Sequence, residues 1–179
     1  LRPDARLLSV VLDSFFVEEC RDEIVDDRLV LRQGCASELP ALLAGRASVC
    51  STTASPGAGS EPGQGTHHPE RFLNLKAYKP LKHQHLPEIV GALGGSARVD
   101  FVPLSAPISR GIHVTAFAPV RAGAEAVAAA FQDAYRDEPF VRLVPEPPEV
   151  RAVVGSNFAD LHVTVGDGVD VLGLLSRKP

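Results

Sequence analysis

The 179 residues carry a formal net charge of −4, from 18 Lys+Arg against 22 Asp+Glu, and 45% of them are hydrophobic. That balance leaves no basic stripe for a nucleic acid, and no apolar run reaches the roughly 18 residues of a membrane-spanning helix. A chain of this size is expected to bury one core as a soluble, cytoplasmic domain. Cys20, Cys35 and Cys50 form an odd, sparse set, which fits reduced thiols better than a disulfide framework. The start lacks the serial pattern of a signal peptide, and its opening on Leu1 hints at a fragment.

In chain order, residues 6–17 are apolar enough for helix or strand, and Arg28 to Arg32 reads as a strand ending at Gln33-Gly34-Cys35. Ala36 to Arg46 has leucines at helical spacing, which places Cys35 at a helix N-terminal end. Ala47 to Thr52 is a strand candidate, and Ser55 to Thr66, rich in Gly, Ser and Pro, is a loop. Phe72 to Tyr78 alternates like a strand. Leu86-Pro87-Glu88 opens a helix that runs to Gly94-Gly95, with proline at its favoured early position.

Ala97 to Pro103 and Ile112 to Ala118 alternate with strand period, while Ala122 to Tyr135 is an alanine-rich helix with Val127, Phe131 and Ala134 on one face. Phe140 to Val144, Ala152 to Val154, Leu161 to Val165 and Val169 to Leu175 complete the strand candidates. Many strands with two or three helices predict an α+β domain, with a mixed, mainly antiparallel sheet and helices on one face.

Several constellations are chemically suggestive. Cys35 at a helix N-terminus would feel the positive end of the helix dipole and ionise easily, or it is a small buried hydrophobe. His83 and His85, one residue apart ahead of a helix, suit two metal ligands, or a base with a supporting neighbour, or surface histidines. If the segment is extended, both imidazoles point the same way. His67-His68 makes a poor chelate and fits substrate contact or loop anchoring. Gly57 and Gly59 lie in a glycine-serine loop able to offer N–H groups to a phosphate or oxyanion, but the run lacks the strand–helix context of a dinucleotide fingerprint. Arg110, just ahead of a strand, suits a carboxylate or phosphate.

Taken in order, Gly34-Cys35, Ser55 to Gly59, His67-His68-Pro69-Glu70-Arg71, Tyr78 with His83-x-His85-x-Pro87-Glu88-Ile89, Arg110-Gly111-Ile112, Asp137-Glu138-Pro139-Phe140-Val141-Arg142 and Gly155-Ser156-Asn157 resemble the N-acetyl-gamma-glutamyl-phosphate reductases. The His-His-Pro-Glu-Arg run looks most like the branch acting on aminoadipyl or glutamyl phosphate held on an amino-group carrier protein. The resemblance implies the fold of the C-terminal catalytic domain of glyceraldehyde-3-phosphate and semialdehyde dehydrogenases. Residues 18–179 would form that catalytic and dimerisation domain, and 1–17 a remnant or linker. No counterpart of the family's dinucleotide-binding domain is recognised.

The implied reaction is NADPH-dependent reduction of an acyl phosphate to the semialdehyde through a cysteine thioester, in arginine or lysine biosynthesis. The resemblance makes Cys35 the nucleophile and His83 the acid/base. It gives substrate contacts to His85, Arg110, Ser55, His68 and Tyr78, and weaker cofactor contacts to Gly57, Gly59 and Asn157. No metal is required. The expected partners are an acyl-phosphate substrate or carrier protein and further copies of the chain. Glu38, where family members differ, would disfavour the Cys35 thiolate if it points inward. An incomplete or degenerate copy is therefore expected, and the alternative is a non-catalytic domain for oligomerisation or carrier docking.

Overall fold

The structure is a computed structural model that describes residues 45–55, 63, 67–92, 98–166 and 170–177. The expected elements at 6–17, 28–32 and 36–44 lie outside these residues, as do Cys35, Gly57 and Gly59. Seven strands, β1 (Ala47–Thr53), β2 (Lys76–Ala77), β3 (Val99–Ser105), β4 (Ile112–Pro119), β5 (Val141–Leu143), β6 (Ala159–Val165) and β7 (Asp170–Arg177), form one sheet in the order β2-β3-β1-β4-β7-β6-β5. β1–β3 and β5–β6 are parallel, and the other four pairings are antiparallel. The mixed, mainly antiparallel sheet expected from the sequence is what forms.

Period-two alternation builds the centre. In β1 the side chains of Ala47, Val49, Ser51 and Thr53 are buried while the intervening ones are not, because successive residues of a strand face opposite sides. The register sets Val49 beside Phe101 of β3 and Ala116 of β4, so the buried sets coincide on one face. Helices α2 (Leu86–Ala92) and α3 (Ala124–Tyr135) cover that face. α3 does so through Val127, Phe131 and Ala134, spaced i, i+4, i+7 as an apolar stripe requires. Full burial of side chains such as Val127 and Phe131 contributes about 1.5–3 kcal/mol each.

Two further helices of one turn, α1 (His68–Arg71) and α4 (Val150–Val153), were not expected. Ala152 to Val154, read as strand from its valines, is instead the end of α4 and the residue that caps it, with Val153 fully buried in packing against β7. Tertiary burial outweighs the β-propensity of valine in so short a run. Phe72 to Tyr78 narrows to the two-residue β2, since Leu73 adopts φ 56° and breaks the extended backbone.

Phe101 is fully buried at the middle of β3. Phe101→Ala should lower unfolding free energy by about 3–5 kcal/mol, measured by urea denaturation followed by circular dichroism.

Candidate active site

The end of β1 gathers three segments. Beyond Thr53, the Ala54 N–H donates to the Gly111 carbonyl and the Ser55 N–H to the Ile108 carbonyl, both at 3.1 Å. These bonds dock the 106–111 turn, and exposed Arg110 with it, against the strand end. Gly111 sits at φ 109°, a conformation that side chains rarely adopt. From the opposite direction, α1 places His68 Nδ1 2.7 Å from Ser55 Oγ, and the Arg71 guanidinium donates through Nη1 to the Ala54 carbonyl at 2.8 Å. Proline near the first turn of α1 fits a helix start, where its missing N–H costs nothing.

The second cluster is the turn from Tyr78 to Leu86. The Tyr78 N–H donates to the Pro103 carbonyl and the Leu81 N–H to that of Phe101, so the segment is fastened to β3. Left-handed φ at Lys79 (43°) and Leu81 (59°) folds it tightly. The expectation of an extended His-x-His segment is therefore corrected. The His83 and His85 rings pack edge to face with centroids 4.6 Å apart, and the His85 N–H lies 3.3 Å from His83 Nδ1. The rings of Tyr78 and Phe101, each 5.5 Å from His83, complete its surroundings.

His83 is only 8% exposed. Burial holds its ring below the ordinary histidine value of 6.5, the positive charges of His85 and Lys79 push the same way, and Glu88 pulls the other way. With Nδ1 accepting from a backbone N–H, the neutral ring carries its proton on Nε2. It thus presents a hydrogen-bond donor to anything that meets Nε2.

The Glu138-Pro139-Phe140-Val141-Arg142 run has a structural task. Arg142 binds the buried Asp160 in a fork, Nε to Oδ1 at 2.6 Å and Nη2 to Oδ2 at 2.8 Å, and its guanidinium lies over the Phe158 ring. This pair clamps edge strand β5 onto β6. Asn157 is exposed on the turn after α4, where the Ser156 hydroxyl donates to the Val153 carbonyl and receives the Phe158 N–H.

The predicted residues therefore form two groups. Ser55, His68 and the turn bearing Arg110 meet at the end of β1, whereas Tyr78, His83 and His85 cluster beside Phe101. Phe101 lies four residues, roughly 13 Å, down β3 from Ser105, the partner of Thr53. Arg71, which was quoted only within a motif, joins the first group as a buried charge; its i, i+3 spacing from His68 on α1 was the signal available. Cys50 on β1 is partly buried, and burial pushes its thiol up, as suits an inert cysteine. Among the described residues no group of three or more His, Cys, Asp or Glu is placed to hold a metal ion, and no helix is long and apolar enough to cross a membrane.

This architecture coincides with solved enzymes at low sequence identity. Aspartate semialdehyde dehydrogenase from Francisella tularensis superposes with a TM-score of 0.60 at 10% identity, covering 97% of this chain and 57% of that one. Aspartate semialdehyde dehydrogenase II from Vibrio cholerae gives 0.57 at 15% identity, covering 74% and 49%. The family model of the semialdehyde dehydrogenase dimerisation domain matches residues 38–177. The chain belongs to that family. Within it, N-acetyl-gamma-glutamyl-phosphate reductase from Methanopyrus kandleri is 37% identical over 164 residues, covering 83% of this chain and 48% of the relative. The enzyme of the same name from Wolinella succinogenes is 34% identical over 160 residues, covering 82% and 47%. The chain spans about half the length of these curated relatives.

Two measurements check the His83 environment. Because its folded value is lowered, the unfolded chain binds more protons as pH falls through 6.5. Stability from this group is then complete above 6.5 and is lost on acidification. His113, also lowered by burial, contributes with the same sign. His83→Gln should flatten part of the acid limb of a melting-temperature profile, and His83→Gln with His113→Gln should flatten more. Nitrogen-15 NMR should find the neutral His83 ring protonated at Nε2.

Proposed function

We propose that this chain is the acylating, substrate-holding part of an acyl-phosphate reductase. Cys35 is the nucleophile. Its thiolate attacks the carbonyl carbon of the acyl phosphate, the carbon–phosphate oxygen bond breaks, and inorganic phosphate leaves with the electron pair, giving a thioester. Hydride addition to that thioester gives a hemithioacetal oxyanion, whose charge a hydrogen bond from His83 holds until the carbonyl re-forms, the carbon–sulfur bond breaks and the Cys35 thiolate leaves, yielding the semialdehyde. The observation that carries the reading is His83: a buried, neutral imidazole with its donor at Nε2 is built to stabilise a developing oxyanion by hydrogen bonding. With its Nδ1 lone pair engaged by the His85 N–H, His83 serves by donation from Nε2 and not by abstraction of the thiol proton. His85 sets the tautomer through its N–H, while Ser55, His68 and Arg110 hold the charged end of the substrate.

The implied hydride donor is NADPH. The described residues offer no dinucleotide cradle: the first helix after β1 is the single turn of α1, opened by His67-His68-Pro69 with no glycine, and Asn157 is exposed. The chemistry assigned to these residues accordingly stops at the thioester and the proton. The names of the curated relatives favour the N-acetylglutamyl substrate over a carrier-bound one. The route served is then arginine biosynthesis.

Homo-oligomerisation accompanies this reading. The sheet face away from α2 and α3 presents Cys50, Val102, Leu104, Thr115 and Phe117, half-buried or exposed, with Phe117 at 51%. We assign that face to a second copy. A Phe117→Asp variant should sediment as monomer where the parent sediments as dimer.

Intact-mass spectrometry of the chain incubated with N-acetylglutamyl phosphate should show an acyl adduct on Cys35 that Cys35→Ser abolishes. His83→Gln should slow hydride-dependent turnover about 10²- to 10⁴-fold when the chain is paired with a nucleotide-binding half. Alkylation of Cys35 no faster than that of Cys50 at neutral pH would overturn the assignment and leave oligomerisation as the function.

A further inference from the structure

Among the described residues, the Arg71 guanidinium is a charge without a counter-charge. The residue is 6% exposed, and its hydrogen-bond partner among the described residues is a neutral carbonyl, that of Ala54. Nε is buried with no hydrogen-bond partner among the described residues. The ion pairs formed among the described residues engage Arg46, Arg136, Arg142 and Arg151, not Arg71. Arginine has five N–H donors and does not escape burial by losing its proton, so a lone buried guanidinium is costly unless an anion meets it. Asp160 shows what this fold does elsewhere with a buried charge: it supplies a two-pronged partner.

The neighbours of Arg71 are of one chemical kind. His68 stands three residues earlier on α1, so the two share a helix face, and it pairs with Ser55, the residue after Ala54. The 106–111 turn brings Arg110 to the same strand end through the bonds of Ala54 and Ser55. The carboxylate on α1, that of Glu70, belongs to an exposed residue. The Arg71 guanidinium, the His68 imidazole and the Ser55 hydroxyl thus meet at the last residues of β1, beside the turn that carries Arg110.

We propose that Arg71, with Ser55, His68 and Arg110, forms an oxyanion-binding subsite in which Arg71 is the buried anchor. The proposal rests on the acyl-phosphate reading only for the source of the anion, which is either the phosphoryl group or the carboxylate of the acidic acyl chain. Both present the coplanar oxygens that a guanidinium fork receives.

Calorimetric titration of the 179-residue chain at constant ionic strength in chloride tests it, with inorganic phosphate in one arm and N-acetylglutamate in the other. Saturable binding in either arm is expected, and the arm that binds more tightly identifies the source. Arg71→Gln should weaken binding about tenfold or more, the worth of hydrogen bonds to a charged group. Arg151→Gln, at an exposed arginine paired with Glu149, should leave it unchanged. Arg71→Lys keeps charge and bulk but not the fork; it should fold and still lose most of the affinity. No saturable binding by the parent chain, or equal binding by the parent and Arg71→Lys, overturns the subsite. Anion binding without a Cys35 adduct would leave the subsite standing and remove the catalytic reading instead.

Discussion

β1 is hydrogen-bonded along both edges, in parallel to β3 and antiparallel to β4, and this double pairing governs where the described residues at its end stand. A strand paired on both sides has no freedom to slip, because a shift of one residue would turn Val49 and its buried companions to the opposite face. The position at which β1 stops is therefore determined to within a fraction of a residue. Ala54 and Ser55 inherit that precision through their bonds to Gly111 and Ile108. A substrate-holding group at the end of such a strand is supported by the core beneath it, with little loop entropy left to lose on binding.

The histidine turn obtains its rigidity differently. It belongs to no regular element, yet its N–H groups are fastened to β3, and left-handed residues close it. The imidazole of His83 is then confined by Phe101 and Tyr78. Burial and nearby positive charge act in the same direction to keep the ring neutral, and the His85 N–H selects which nitrogen keeps the proton. A histidine that donates a hydrogen bond to a developing negative charge gains from both: the ring stays a neutral donor, and that donor is aimed.

The contrast between Arg142 and Arg71 separates architecture from function. Arg142, 43% exposed by side chain, is matched to a buried carboxylate and stacked on Phe158, which is the signature of a structural clamp. Arg71 is more deeply buried and has no such match among the described residues. Both arginines sit in motifs that stand out in the sequence, but only their surroundings distinguish a clamp from a binding group.

Much of the fold was legible in the residues alone. Alternation in Ala47 to Thr53 and Ile112 to Ala118, and the i, i+4, i+7 stripe of α3, are local patterns that report which face will be buried, because the side-chain periods of strand and helix are fixed by backbone geometry. The sheet class and the family resemblance followed from elements and motifs taken in order, and His83 and His85 stood out together with them, without the residues saying which would be the acid/base. The sequence could not reveal that the His-x-His segment is a turn, that Ala152 and Val153 end a helix, or that α1 exists, since one-turn structures are decided by what they pack against. Nor could it show that Ser55 pairs with His68 while His83 stands about four residues away along β3. Those are long-range facts, set by strand register and by what packs at the end of β1, and the same packing buries Arg71 with no counter-charge among the described residues.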